Sequence, residues 1–428
     1  MSEPAASGPP ARLDARYWRL WGAVASSNLG DGLVALALPW LASLLTRDPL
    51  AISGVALATR LPWLVFSLQA GTLSDRYDRR RLMVVANSLR ALVAVAMTVA
   101  VWQDLASLAV LYLAAFALGM CEVVFDNTSQ AILPALVPRE RLERANGTIM
   151  GAQMVIAEFV ARPVAGALVG VALSLPFAID AVTAALSAAL IAAIPGSFRT
   201  RPHGERPEQR MRAQIAEGLS WLWDHRLLRT LALTLGVMNG TTAAILATLV
   251  LFAQELLGLD GLGFGLLLAA GSLGGLLGSL IAPGVTARIG PGPSLLAALT
   301  VPIGSFAVIA ASSSALVTGA ALAVFTFTAL LWNVVTVSLR QTLIPDGLLG
   351  RVNSVYRFFG WGAMPIGTLL GGGLVSAVAA ASTRELGLRA PFVAGALVHV
   401  VLVAVVARSL TTTAIRAARP PQDPDAAS

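Results

Sequence analysis

Acidic and basic side chains standing inside long apolar runs are the residues of this chain best suited to chemistry. Asp31 lies in SSNLGDGLVALALPW, Glu122 and Asp126 in LGMCEVVFDNTSQ, and Glu158 and Arg162 in VIAEFVARPVAGALVG. Arg60, Arg90 and Asp180 stand in similar surroundings. Keeping a charge from water is costly, so each is a functional candidate. A carboxylate that is charged in one arrangement of the protein and protonated in another ties proton movement to the change between them. At four-residue spacing Glu122 shares a helix face with Asp126, and Glu158 with Arg162. Glu122, the deeper of its pair, leads as a protonatable or cation-attracting group. Plainer roles stand beside these: a structural ion pair for Glu158 and Arg162, an interhelical hydrogen bond for Asp31, and a structural place for Asp180 near the end of its run.

Bond-making chemistry has little to work with. All 30 basic residues are Arg, and without Lys there is neither a P-loop lysine nor a Schiff base. His203, His225 and His399 share no metal-ligand spacing, so no metal site is expected. The single Cys121 allows no intrachain disulfide. The chain is 56% hydrophobic and 12% charged, against about 25% charged in soluble domains. That much apolar surface has no place in water. Runs of about 20 apolar residues suit helices that cross a bilayer, and the expected fold class is an all-α polytopic membrane protein.

Twelve spans are expected, near 17–45, 50–74, 82–102, 105–135, 146–170 and 174–195, then 229–256, 261–288, 292–312, 314–340, 352–380 and 387–410. An even number of crossings puts both termini on one side. Of the Arg residues other than Arg60, Arg90 and Arg162, 24 fall on that side and 3 (Arg47, Arg384 and Arg389) on the other. By the positive-inside rule the termini are cytoplasmic, in the inner membrane of a bacterium. The net charge of +7 is then a topology signal and calls for no nucleic acid. Residues 1–16 form a cytoplasmic tail without the short apolar core of a signal peptide.

Residues 196–228 divide the spans into a bundle at 17–195 and a bundle at 229–410, followed by a tail at 411–428. Pro and Gly make the first part of the divider a linker. Met211, Ile215, Leu219 and Leu222 then recur at helical spacing, as in an amphipathic helix at the membrane surface. The halves repeat each other. VPRERLERAN (137–146) matches IPDGLLGRVN (344–353) in Pro138/Pro345, Leu142/Leu349, Arg144/Arg351 and Asn146/Asn353. The same offset carries Gly71 and Leu73 onto Gly278 and Leu280. A duplicated six-helix unit predicts two pseudo-symmetric bundles facing a central cavity.

The stretch GTLSDRYDRRRL (71–82) packs six charges between the second and third spans. Gly71 permits close approach of a neighbouring helix. Asp75, Arg76, Asp78, Arg79 and Arg80 are suited to charge pairs across an interface between moving parts, and so to gating. The corresponding second-half segment, GSLIAPGVTARIG, has Ala282 and Pro283 in place of Asp75 and Arg76, so the clasp is one-sided.

This stretch resembles the loop motif of the major facilitator superfamily, roughly G-x-L-x-D-R-x-G-R-R, with Asp78 in place of the second Gly. Together with Gly30–Asp31, DNTSQAILPALVPRERLERANG, PFAIDAVTAALSAAL and EGLSWLWDHRLLRTL, it is similar to the subgroup of enterobactin exporters and macrolide-efflux proteins. The resemblance implies the twelve-helix major facilitator fold and export. It also implies that Asp75 stabilises an outward-facing state and that Arg79 pairs with Asp126. RPVAGALVG resembles the Gly-Pro motif of antiporters in this superfamily, with Arg162 in place of the usual Gly.

The expected function is secondary active export of a hydrophobic or amphipathic small molecule of drug, macrolide or siderophore type, by proton-coupled antiport. Trp40, Trp63, Phe125, Asn239, Trp332, Asn333 and Trp361, with Phe358 and Phe359, are candidate cavity walls, although packing is the commoner role of a membrane aromatic. The expected partners are the substrate and the lipid bilayer, with the protein monomeric. No cofactor is expected, the proton gradient supplying the energy. A metabolite uptake system or facilitator, and a transport-inactive sensor or scaffold, are the alternatives; an intramembrane enzyme has little support.

Overall fold

Most of the apolar runs begin where a polar side chain satisfies the free amides of a first helical turn. Asp48 accepts from Leu50 N at 3.0 Å and Asp260 from Gly263 N at 2.8 Å. Ser107, Ser314 and Thr383 cap in the same way. The computed structural model describes residues 14–138, 141–199, 208–345 and 348–417. The side chains of Gly71, Asp75, Met211 and Ile215 lie outside the described residues, as do most of the two tails and the first part of the linker.

Twelve helices are long and apolar enough to cross a membrane. The first half holds α1 (Ala15–Leu45), α2 (Pro49–Arg76), α3 (Arg79–Trp102), α4 (Leu108–Ile132), α5 (Leu142–Val171) and α6 (Leu175–Ala192). The second holds α7 (Arg226–Glu255), α8 (Gly261–Ile289), α9 (Pro291–Ala311), α10 (Ala315–Leu343), α11 (Leu349–Ala381) and α12 (Arg384–Leu410). A connecting helix (Glu208–Asp224) precedes α7. Its Leu222 is buried in the second-half core, and its Glu217 pairs with Arg351 at the start of α11.

The helices are not uniform. Within α5, residues Val155–Ala161 form a π-turn immediately before Arg162 and Pro163. Pro163 has no amide hydrogen for the carbonyl of Phe159 and its ring crowds that carbonyl, which the wider turn relieves.

The buried apolar side chains form three clusters, and their distribution defines the conformation. At the end away from the chain termini one continuous core draws on both halves, joining Leu33–Leu41 of α1 and Ile52 of α2 to Ile245–Phe252 of α7, Phe264 of α8 and Phe392 of α12. At the end of the termini the core is split. Tyr17, Met83, Phe125 and Ile132 belong to a first-half cluster, and Leu228, Leu299, Trp332 and Tyr356 to a separate second-half cluster. The halves are therefore welded at the distal end and parted at the terminal end.

Close backbone approach makes the weld. A Cβ on Gly372 of α11 would stand 2.4 Å from Ser53 Oγ and 2.7 Å from the Pro49 carbonyl of α2. Gly372→Leu is therefore expected to wedge the distal end open without unfolding either bundle. In a Cys121→Ser background, spin labels at Trp102→Cys and Leu316→Cys, both exposed, should move further apart in that variant than in its parent.

Candidate functional site

Three groups of polar side chains lie along the seam or beside it. The first is a seal at the distal end. Arg47 Nη1 donates to Gln254 Oε1 at 2.6 Å, and Gln254 Nε2 to Ser43 Oγ at 2.8 Å. Glu255 accepts from Arg384 at 2.9 and 3.0 Å, while Arg384 also donates to the Arg47 carbonyl at 2.8 Å. Ser376 reaches Asp48 at 3.5 Å. Trp40 stacks on Phe264 across the halves at 5.9 Å.

The second group lies at mid-depth on α5 and α8. Arg162 Nη1 is 2.5 Å from Glu158 Oε2. The Ser272 hydroxyl donates to the same carboxylate and accepts from Arg162 at 3.4 Å. The pair expected from its four-residue spacing thus forms, and it carries a partner from the other half. Beside it is a cavity of about 170 Å³, lined by Thr242, Ile245, Leu249, Leu267, Leu268, Phe325 and Thr326 among others.

The third group is buried in the first half. Arg90 of α3 is 3% exposed and forks between two carboxylates. Its Nε and Nη2 donate to Asp180 Oδ1 of α6 at 2.9 and 2.6 Å, and its Nη1 to Asp31 of α1. Asp180 is 0% exposed, whereas the Asp31 side chain is 25% exposed. A Cβ on Gly30 would stand 2.0 Å from Asp180 Oδ1, so only glycine admits α6 this close to α1. Glu122 and Asp126 of α4 face Asp31 and Arg90, and Arg60 faces Glu122. In the spans of the second half no acidic side chain stands at this depth.

The loop residues are placed differently from expectation. Arg79 Nη1 donates to the Ala131 carbonyl at the end of α4 at 2.7 Å, and its Nε to the Ser74 carbonyl at 3.3 Å. Among the described residues no ion pair joins Arg79 to Asp126, which lies more than a turn deeper on α4 and faces the buried charges instead. Arg80 caps the end of α6 at the Ile194 carbonyl, 2.8 Å away, and Arg76 is exposed. Asp78 caps α3 through Arg81 N at 3.1 Å and holds Ser197 Oγ at 3.0 Å and Phe198 N at 2.8 Å. These contacts stay within the first half.

The aromatic candidates divide. Phe125 and Trp332, each 1% exposed, are core residues of their own halves and not cavity walls. Their helical faces point away from the seam, which single-residue reading does not resolve. Trp63 and Trp361 meet across the halves at 6.3 Å, and Trp361 and Phe358 remain exposed. Phe359 lies at 6.1 Å from Trp223 of the connecting helix. Asn239 donates to the Gly360 carbonyl at 2.8 Å, joining α7 to α11 within the second half, and Asn333 is exposed.

Sequence reasoning missed the Arg90 fork, Ser272 and the distal seal. Arg90 and Asp180 sit at matching depths when counted from Arg79 and from Ala192, which was the available signal for the fork. The scarcity of Arg on the distal side was the signal for the seal, since Arg47 and Arg384 are two of its three examples.

Two outcomes follow. Glu255→Gln removes the counter-ion shared by two partly exposed Arg residues, a loss of about 1 kcal/mol or less. The distal label pair should then show an open population raised by up to about fivefold. At Asp78, partial burial opposes the charge, but hydrogen bonds from Phe198 N, Arg81 N and Ser197, with Arg80 nearby, outweigh it and hold the carboxyl below its ordinary range. A depressed folded value means that stability is present above the unfolded value and is lost as pH falls through the folded one. Asp78→Ala should cost about 1–2 kcal/mol at pH 7, with the difference in Tm from the parent vanishing at acid pH.

A family model described as the Major Facilitator Superfamily matches residues 20–368. The multidrug efflux pump Tap of Mycobacterium tuberculosis is 30% identical over 396 residues, covering 86% of this chain and 87% of that protein. Macrolide efflux protein A of Streptococcus pyogenes is 24% identical over 161 residues, 36% of this chain and 38% of that one. Among solved structures, a bacterial homolog of the human lysosomal transporter Spinster, inward-facing and unoccupied, superposes with a TM-score of 0.73 at 15% identity, covering 96% of this chain and 100% of that chain. With two six-helix halves, a seam between them and a family match across most of its length, the chain belongs to the Major Facilitator Superfamily.

Proposed function

We propose that this transporter is a secondary active exporter of a hydrophobic or amphipathic small molecule, working by proton antiport through alternating access. It sits in the bacterial cytoplasmic membrane with both termini in the cytoplasm. The observation that carries this reading is the seam itself: joined at the distal end, parted at the terminal end, with a largely apolar cavity and one ion pair at mid-depth. Such a surface suits an amphipathic guest, whose apolar body meets Leu and Phe and whose single polar end meets Glu158, Arg162 and Ser272. The efflux activities named for Tap and macrolide efflux protein A support the direction of transport and a substrate of drug or macrolide type.

Protons are the proposed energy source because the first half carries carboxylates at mid-depth. One elementary charge crossing about 100 mV releases about 2.3 kcal/mol. At about 1.4 kcal/mol per decade, one proton supports a substrate gradient of roughly fortyfold. In this reading the Asp75 to Arg80 loop closes on the second half in the opposite conformation, and the protein works as a monomer without a cofactor.

The test is a susceptibility panel of drugs and siderophores on cells expressing the protein, followed by uptake of each positive compound into energised inverted vesicles. Raised tolerance to an amphipathic compound is expected, with vesicle accumulation abolished by an uncoupler. Glu158→Gln, which leaves Arg162 at the seam without its counter-ion, should lower that accumulation at least tenfold. Accumulation indifferent to the uncoupler would reject the coupling.

A further inference from the structure

Arg90 is the most deeply enclosed basic group of the first half, and its two counter-ions are unequal. Asp180 is fully buried and takes two of the three guanidinium hydrogen bonds on one oxygen, leaving its Oδ2 buried and unpartnered. Asp31 takes the remaining contact and its side chain is a quarter exposed. Of the two carboxylates Asp31 is the accessible one, and Asp180 is enclosed. With both carboxylates charged, the group carries one uncompensated negative charge; with Asp31 protonated it is neutral.

We propose that Arg90 is a positioning residue held permanently by Asp180 and exchangeably by Asp31, which makes Asp31 the carboxylate that trades its proton during the transport cycle. This rests on the antiport reading above and assigns the carrier within it. Protonation removes the attraction between Asp31 and Arg90 Nη1, while Asp180 keeps the guanidinium in place on α3 and α6. The released contact is between α1 and α3, and α1 is also the helix that carries Trp40 and Ser43 into the distal seal. Breaking the contact therefore removes the charged link between α3 and the helix that reaches the weld, while the close packing of α1 on α6 at Gly30 remains.

The groups facing Asp31 come from several elements. Arg90 approaches from α3, Asp180 from α6, and Glu122, Asp126 and Cys121 from α4, with Arg60 of α2 beside Glu122. On α5, Ala157 and Ala161 pack against Gly32 of α1, and the charged pair Glu158 and Arg162 follows each of them in sequence, with Arg60 of α2 acting on Arg162 as well as on Glu122. Glu122 and Asp126 add negative charge next to Asp31, and among the described residues neither is held by a guanidinium in an ion pair.

Asn at position 31 keeps the size of the side chain and removes the titration. In a Cys121→Ser background, spin labels at Gly147→Cys and Gly350→Cys report the width of the terminal end. Both positions are exposed, lie in opposite halves and have open space for a side chain. In the purified full-length protein the parent label distance should shift with pH. Asp31→Asn should lose at least four-fifths of that shift while remaining monodisperse, Asp31→Glu should restore it, and Glu122→Gln should keep it with a displaced midpoint. An unchanged pH response in Asp31→Asn overturns the assignment, and so does a response lost in Glu122→Gln but kept in Asp31→Asn. A parent with no pH response, and with uncoupler-insensitive vesicle accumulation, removes the antiport reading and this assignment with it.

Discussion

A guanidinium enclosed in a membrane protein must be neutralised by the protein, and Arg90 imposes that constraint on the whole first half. Two carboxylates on two other helices converge on it, so α1, α3 and α6 are held at one register. A hydrogen-bond chain reinforces them nearby: Asn87 donates to Ser187 at 2.6 Å, and Ser187 to the Ala23 carbonyl at 2.8 Å. Lipid offers no hydrophobic drive for helices to associate, so polar contacts of this kind, with small residues at close crossings, set their geometry. Among the described residues the second half has no buried ion pair of this kind; its helices meet through glycine crossings, apolar packing and single hydrogen bonds such as that of Asn239 with the Gly360 carbonyl.

That asymmetry divides the labour. The first half holds the ionisable groups at mid-depth, and the second presents Thr242, Ser272, Phe325 and Thr326 to the cavity between them. Charge is located where one bundle can be biased by it, while the other offers a largely neutral wall. The distal weld combines apolar core with a partly exposed ionic seal. Its apolar part contributes most of the cohesion, since exposed ion pairs add little, and the seal sets how precisely α7, α11 and α12 meet α1 and α2.

Much of this was open to sequence reasoning, for identifiable reasons. The twelve spans follow from hydropathy, and the ion pair of Glu158 and Arg162 follows from helical spacing. The widened turn beneath it was signalled by Pro163. What spacing does not encode is which face of a helix meets which neighbour. Phe125 and Trp332 share composition with Trp63 and Trp361, yet the first two fill separate cores and the others meet across the seam. Resemblance pairs Arg79 with Asp126, while in this arrangement its guanidinium donates to the Ala131 carbonyl at the end of α4. Ser272 is a common residue in a glycine-rich run, and only the packing of α8 on α5 reveals it as a partner.

The central claim is that the distal weld must open for the cargo to leave. Asp48 and Ser376 approach across that weld, so Asp48→Cys with Ser376→Cys in a Cys121→Ser background can be oxidised to lock it. Vesicle transport of a compound from the susceptibility panel is the measurement. Loss of transport on oxidation, with recovery on reduction, is the predicted result; full transport by the cross-linked protein would contradict it.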